Sequence, residues 1–257
     1  MHNNCEAFIR KGSCMRKFTV LLLNIQKLIY ALMLFITMLF ITMLFILYVP
    51  ATFADGFKGE MAYQKKDYIT AFKEFRKRAE KGEANGQSWL GTLYFEGQGV
   101  PQDYVTSAMW YEKASNQGYM TAQFELAKMY LAGIGVTKDE SRAAVLMEKS
   151  ANQGFLLPMY WIGMMYKLGV GVPVDNIQAH KWFNLSASYS EGEVTSEYIT
   201  KAKSERDLIE TSMTTNQIQE AQKLASDWDT AKKARDAKSE AELKEEIKAQ
   251  LLKQKKR

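Results

Sequence analysis

The sequence predicts an all-α solenoid built from helix pairs, and three observations predict it. Glycines recur every 36 residues, at Gly82, Gly118 and Gly154 and at the pairs Gly97/Gly99, Gly133/Gly135 and Gly169/Gly171. The aspartates Asp67, Asp103, Asp139 and Asp175 keep the same period. Between these marks apolar residues stand three and four apart, the spacing of one buried helical stripe. A fixed period in this range denotes stacked supersecondary units that bury their faces on one another, not one globular core.

The first element is an export signal or an anchor, over residues 1–54. No charged residue occurs from Leu28 to Val49, and Arg10, Lys11, Arg16, Lys17 and Lys27 all precede that stretch. Basic charge on one flank holds that end in the cytoplasm, so the rest of the chain is expected to be translocated. The pentad FITML stands twice in tandem, Phe35–Leu39 and Phe40–Leu44, and lengthens the apolar run. A spanning helix needs about 20 residues, a secretory core about 7–15, so length argues for an anchor over 28–49. Thr52-Phe53-Ala54 before Asp55 argues for cleavage, because small residues occupy the positions that a signal peptidase reads. Cleavage is the first reading and retention the second. Met15-Arg16-Lys17 offers an alternative start to Met1.

Residues 55–82 read as a partial unit, with Asp67, Ala71, Phe75 and Lys81-Gly82 matching the second helix of the later ones. Full units follow at 83–118, 119–154 and 155–190. In each, helix A carries Leu90-Gly91-x-Leu93-Tyr94, Leu126-Ala127-x-Met129-Tyr130 or Ile162-Gly163-x-Met165-Tyr166. The small central residue is expected to let a neighbour approach, since Gly inside a helix costs about 1 kcal/mol relative to Ala. Helix A should stop at Gly97, Gly133 and Gly169, where a left-handed residue closes it. Val100, Val136 and Val172 then tuck the loop into the core. Asp103, Asp139 and Asp175 should cap helix B. Helix B presents Ser107, Ala143 or Ala179, then Trp110, Leu146 or Trp182, and the first two copies end at Gln117-Gly118 and Gln153-Gly154. With Tyr94, Tyr130 and Tyr166, Trp110 and Trp182 are expected in the core.

Beyond Trp182 the period loosens, with Ser190 where a glycine is due and Gly192 two residues late. Residues 191–228 are therefore expected to be C-terminal capping helices. Residues 229–257 form a charged tail, helical or disordered, in which Leu243, Ile247 and Leu251 recur every four residues.

The strings LGTLYFEGQGVPQDYVTSAMWYEKASNQG, LAKMYLAGIGVTKDESRAAVLMEKSANQG and IGMMYKLGVGVPVDNIQAHKWFNLSAS resemble the Sel-one-like repeat, a relative of the tetratricopeptide repeat. The resemblance covers roughly Asp55–Trp228, because Met213–Trp228 is similar to the helix that closes many bacterial members. It implies a right-handed α/α superhelix whose members act as adaptors, often in bacterial envelopes. Some cysteine-rich relatives carry a penicillin-binding or β-lactamase label. This chain has only Cys5 and Cys14, both before the apolar stretch, so their paired cysteines are missing from it.

Little in the sequence points to chemistry. The net charge of +5 is concentrated in the leader, and residues 55–257 carry only +1, so a polyanion such as nucleic acid is not the expected partner. One histidine after the leader, His180, and no cysteine there make a transition-metal site improbable. His180 is expected to be a partly packed side chain. S-x-x-K, G-x-S-x-G and phosphate-loop motifs are absent, and the G-x-G pairs follow helices instead of strands. The periodic aspartates stand one per unit and cannot converge on one ion. No cofactor is expected.

Specificity should therefore lie in what does not repeat. By analogy with tetratricopeptide arrays, helix A turns Asn85, Ser88, Thr92 and Phe95 toward a concave groove, then Thr121, Phe124, Lys128 and Leu131, then Leu157, Tyr160, Met164 and Lys167. Trp89 and Trp161 flank the row, opposite Glu125 in the middle unit. Phe124, Tyr160 and Met164 are expected to be the hottest part of a groove for a partner peptide or helix. The competing fate of these apolar residues is contact with the next helix or with the N-terminal partial unit. The expectation is a non-enzymatic, periplasmic protein-binding adaptor. The rivals are a hydrolase acting on β-lactams or peptidoglycan and an organiser anchored in the inner membrane.

Overall fold

A computed structural model describes residues 33–39, 57–188 and 196–255, and the chain divides into Met1–Lys58 and a compact unit Gly59–Arg257. In the first unit the helical stretch 33–39 and residues 57 and 58 are described, so the apolar stretch and the cleavage motif otherwise lie outside the described residues. Among the described residues no helix is long and apolar enough to cross a membrane, and none of the structure is strand.

In the second unit α1 (Lys58–Gln64) and α2 (Tyr68–Glu80) precede three helix pairs. These are α3 (Ala84–Glu96) with α4 (Tyr104–Asn116), α5 (Met120–Ala132) with α6 (Glu140–Asn152), and α7 (Leu156–Leu168) with α8 (Asn176–Ala187). Then come α9 (Ser196–Glu210) and α10 (Thr215–Lys255). From α2 to α9 each helix packs on the next, which is a solenoid.

The periodic residues fix this geometry at backbone level. Asp103 accepts from the N–H groups of Val105 and Thr106 at 3.0 Å each, Asp139 from Arg142 at 2.9 Å, and Asp175 from Ile177 and Gln178 at 2.9 and 3.0 Å. Each aspartate thus satisfies donors that the first helical turn leaves free. The same aspartates donate their own N–H to the carbonyls of Tyr94, Tyr130 and Tyr166 at 2.9–3.0 Å, closing the corner between helices A and B. Gly97, Gly133 and Gly169 end helix A in the left-handed conformation, at φ of 68°, 68° and 70°.

The second glycine of each loop does something the period alone did not reveal. At Gly99, Gly135 and Gly171 a Cβ would strike the carbonyl oxygen of Tyr68, Tyr104 and Glu140, the first residue of helix B in the preceding unit. The first glycine of each pair ends a helix; the second lets one unit stack on the last.

The core lies between Ala62 and Trp228. One cluster runs through α4–α8 and includes Tyr111, Leu126, Met147, Ile162 and Trp182. A second joins α8 to α9 through Ala179, Phe183, Ala202 and Ile209, and a third joins α1 and α2 to α3 through Ala62, Phe75 and Leu93. Val100, Val136 and Val172 pack against these clusters as expected.

Trp110 departs from its expected place. It is half-buried with the Lys113 ammonium 4.1 Å above its ring, whereas its counterpart Trp182 is fully buried. The difference is α10, whose Trp228 lies edge-on to Trp182 with ring centroids 6.2 Å apart. Three residues beyond the tryptophan the third unit has the apolar Leu185, where the first has Lys113.

A capping box starts α10. The Thr214 N–H donates to Gln217 Oε1 at 2.9 Å, and the Gln217 N–H donates to Thr214 Oγ1 at 3.3 Å. The helix packs on α8 and not on α9, which it follows. Trp228 Nε1 donates to Asn152 Oδ1 at 2.9 Å, Arg235 reaches the Asn152 carbonyl at 3.4 Å, and the Lys232 side chain lies against Gly154. Two cations thus meet the carbonyl end of α6, where the helix dipole favours positive charge. Past Arg235 the charged tail continues as the same helix, with side chains exposed through Leu252.

Candidate partner-binding surface

The groove expected from the sequence divides, residue by residue, into packing and surface. Ser88 and Phe124 are buried, Phe124 to 5% exposure with its ring edge-on to Phe155 at 5.5 Å. Neither has a side-chain surface to offer, because the neighbouring helices close over both. Trp89 stacks on Phe75 with ring centroids 5.1 Å apart and tilts against Tyr63 at 4.8 Å, so α1 and α2 cover it. Thr92 pairs with the Tyr111 hydroxyl at 2.9 Å. Phe95 packs on the central cluster and meets Tyr104 edge-on at 5.1 Å, and Leu131 packs on the same cluster. Asn85 is half-buried, with its Oδ1 enclosed and unpartnered.

In the third unit α9 takes up the row. Tyr160 meets Phe183 at 5.9 Å and Tyr198 of α9 at 5.4 Å, and Met164 packs on the cluster between α8 and α9. Lys167 pairs with Glu205 of α9. The triad expected to be hottest, Phe124, Tyr160 and Met164, is therefore held by the chain's own helices. Burial also pushes the Tyr160 hydroxyl pKa upward.

Two of the expected residues stay open. Trp161 is 39% exposed, touching Tyr160 edge-on at 5.8 Å. Lys128 is exposed and pairs with Glu125 at 2.8 Å while its ammonium sits 4.9 Å from the centre of the Phe124 ring. The repeat counterpart of Trp161 is the covered Trp89 in the first unit and Glu125 in the second. No packing rule of the repeat therefore requires an indole here.

Polar contacts that the sequence reading missed hold the helices around this surface. Gln117 Nε2 donates to Gln87 Oε1 at 2.7 Å and Gln153 Nε2 to Gln123 Oε1 at 2.8 Å. Gln87 and Gln123 are buried, so each bond satisfies a group that water cannot reach. The signal was present as glutamines repeating at 87/123 and 117/153, but their 30-residue partnership is not the period. His180 is fully buried, not partly packed, with Nε2 2.7 Å from Glu210 Oε1 of α9. Arg206 approaches the same Glu210 oxygen at 3.9 Å. This pairing fastens α9 to α8.

Among the described residues no three His, Cys, Asp or Glu side chains converge as metal ligands. Tyr63 has its hydroxyl pKa pushed up to about 12 by burial and by its 2.9 Å bond to Glu96. A phenol held protonated in this way links α1 to α3 and is not poised for acid–base work.

Comparisons with known proteins agree with this architecture. The family model described as Sel1 repeat matches residues 84–119, 121–155 and 159–188. A Sel1 repeat protein from Oxalobacter formigenes is similar in structure, with a TM-score of 0.53 and 25% identity over 60% of this chain and 58% of its own. A protective antigen of uropathogenic Escherichia coli with an SLR fold matches at 27% identity and a TM-score of 0.44, over 62% of this chain and 40% of its own. This chain thus spans well under two thirds of the length of either protein. No curated protein matches it. Sel1 repeats are generally modules of protein–protein interaction and generally non-catalytic. Period, caps, stacking and family model coincide over residues 84–188, and this part of the chain consists of three Sel1 repeats.

Proposed function

We propose that this protein is a non-enzymatic adaptor of the bacterial envelope that grips a partner peptide or helix on its helix A face, around Trp161 and Lys128. The observation that carries the reading is the exposed indole of Trp161, at a position where the repeat has no need of one. A large apolar ring left partly in water forgoes the stabilisation that burial gives and can gain it from a partner, and tryptophan is enriched among the residues that dominate interface energies. Lys128 and Glu125 beside Phe124 give the adjoining surface a polar rim of the kind that surrounds such anchors. Asn85, Thr92 and Lys167, each bonded or half-enclosed, serve to shape the row.

Export across the inner membrane belongs to the same reading. The uncharged stretch Leu28–Val49 and the small residues before Asp55 support it. N-terminal sequencing of the mature protein tests this half: a start at Asp55 means a released periplasmic domain, and an intact leader means a membrane-anchored organiser. The binding half is tested by crosslinking in native envelopes with wild type and Trp161→Ala. The variant should keep its fold and lose most partner capture; full capture with an unchanged partner set would remove Trp161 from the interface.

A further inference from the structure

The projecting end of α10 is the largest feature that the solenoid leaves unused. It presents Leu243, Ile247, Leu251 and Leu252, each about half exposed, on a helix that has left the body of the protein behind. Leu243, Ile247 and Leu251 follow one another at four-residue steps, so at about 100° per residue they share one narrow face. Lys244 and Lys248 border that face on one side and line a shallow apolar recess with Ile247, Leu251 and Leu252. Glu242 and Glu245 fall on the far side of the helix, Glu246 borders the opposite edge, and Glu240 stands at the N-terminal end of the face, paired with Lys244. From Lys248 to the C-terminus the chain holds five basic residues and no acidic one.

We infer that this segment docks on an anionic membrane surface, lying in the interface with the Leu243/Ile247/Leu251 face down. The charge pattern selects that occupant. Lysines beside an apolar stripe extend their ammonium groups to headgroup phosphates while their stems rest on the acyl boundary. Clustered cations near an anionic leaflet add to one another. The ion pairs that now engage them, Lys244–Glu240 at 2.6 Å and Lys248–Glu245 at 3.4 Å, are highly exposed and cheap to exchange.

A second copy of the helix fits less well. In an antiparallel pair like flanks meet, which sets the Lys244/Lys248 edge against itself. In a parallel pair Glu240 and Gln250 share the seam with Leu243 and Ile247.

The test uses the chain from Asp55 onward, whose core clusters lie wholly between Ala62 and Trp228. Flotation is measured with vesicles of phosphatidylcholine alone and with about 30% phosphatidylglycerol, at about 0.1 and 0.5 M salt. Binding should require the anionic lipid and weaken on the order of tenfold at the higher salt. Ile247→Glu/Leu251→Glu and Lys248→Glu/Lys253→Glu should each weaken it by a similar factor with no change in Tm, since every residue altered lies beyond the body. Equal binding to both vesicles, no binding to either, or variants that float as well as wild type would each overturn the proposal.

Discussion

Gly91 sits beneath the ring of Tyr111: a Cβ on Gly91 would come within 2.8 Å of Tyr111 Cδ1. The third unit repeats the arrangement with Gly163 beneath Phe183, again at 2.8 Å. In the second unit Ala127 occupies the glycine's place, and the facing residue is the unbranched Met147. The small position and its partner have changed together, from glycine under an aromatic ring to alanine matched with a flexible, unbranched methionine in the same cluster.

Gly91→Ala should therefore destabilise the protein by about 1–3 kcal/mol through overpacking, despite alanine's better helix propensity. Tyr111→Met in the same chain should recover much of that loss, although it also removes the Thr92–Tyr111 bond. Urea denaturation of the two single variants and the double variant gives the coupling. Strict additivity would show that the ring does not set the glycine.

The glutamine pairs should behave non-additively too. Gln117→Leu strands the buried Oε1 of Gln87 and should cost about 1–3 kcal/mol, whereas Gln117→Leu with Gln87→Leu should cost less than the sum of the two singles. A thermal-melting cycle measures it. Equal costs along both routes would mean the bond is not satisfied in solution.

Caps give the stability its acid dependence. Asp139→Ala should lose about 1 kcal/mol. The Asp103 carboxyl is held below its ordinary value of 3.8 by bonds from the Thr106 hydroxyl and backbone. A group with a depressed folded pKa contributes stability above its unfolded pKa and loses it as pH falls through the folded one. Melting temperatures should thus be flat near neutrality and fall below about pH 4, less steeply in Asp103→Asn than in wild type. An identical acid slope in both would remove Asp103 from the cause.

The anchorage of α10 is a local matter. Trp228→Ala removes the edge contact with Trp182 and the bond to Asn152, and should cost about 2 kcal/mol. Hydrogen exchange should then quicken in residues 215–235 and around Trp182 while α3 to α5 keep their protection. Uniform loss of protection would mean that the helix is integral to the solenoid.

These cases also show which parts of the structure are legible in the sequence. Gly97, Asp103 and Val100 act through the backbone or their immediate neighbours, so every unit needs them in one place and the period exposes them. Gly99 was visible as a residue, but its purpose was not, because the carbonyl it clears belongs to the unit before. Phe124, Tyr160 and Met164 vary between units, and variation alone does not separate a surface residue from one that a neighbour covers. For Tyr160 and Met164 that neighbour is α9, which follows the point where the 36-residue period lapses at Ser190 and Gly192. Trp110 and Trp182 are matched in sequence and differ in burial because a helix from outside the period, α10, covers one of them.

The central claim is that binding resides in non-repeating residues of the helix A face, and site-specific photocrosslinking tests it most directly. A benzophenone amino acid is placed at Trp161 and, as a control, at Val145 on helix B, which is also exposed. Crosslinking in native envelopes should give a discrete partner adduct from position 161 and none from position 145. The same adduct from position 145, with none from position 161, would contradict the claim.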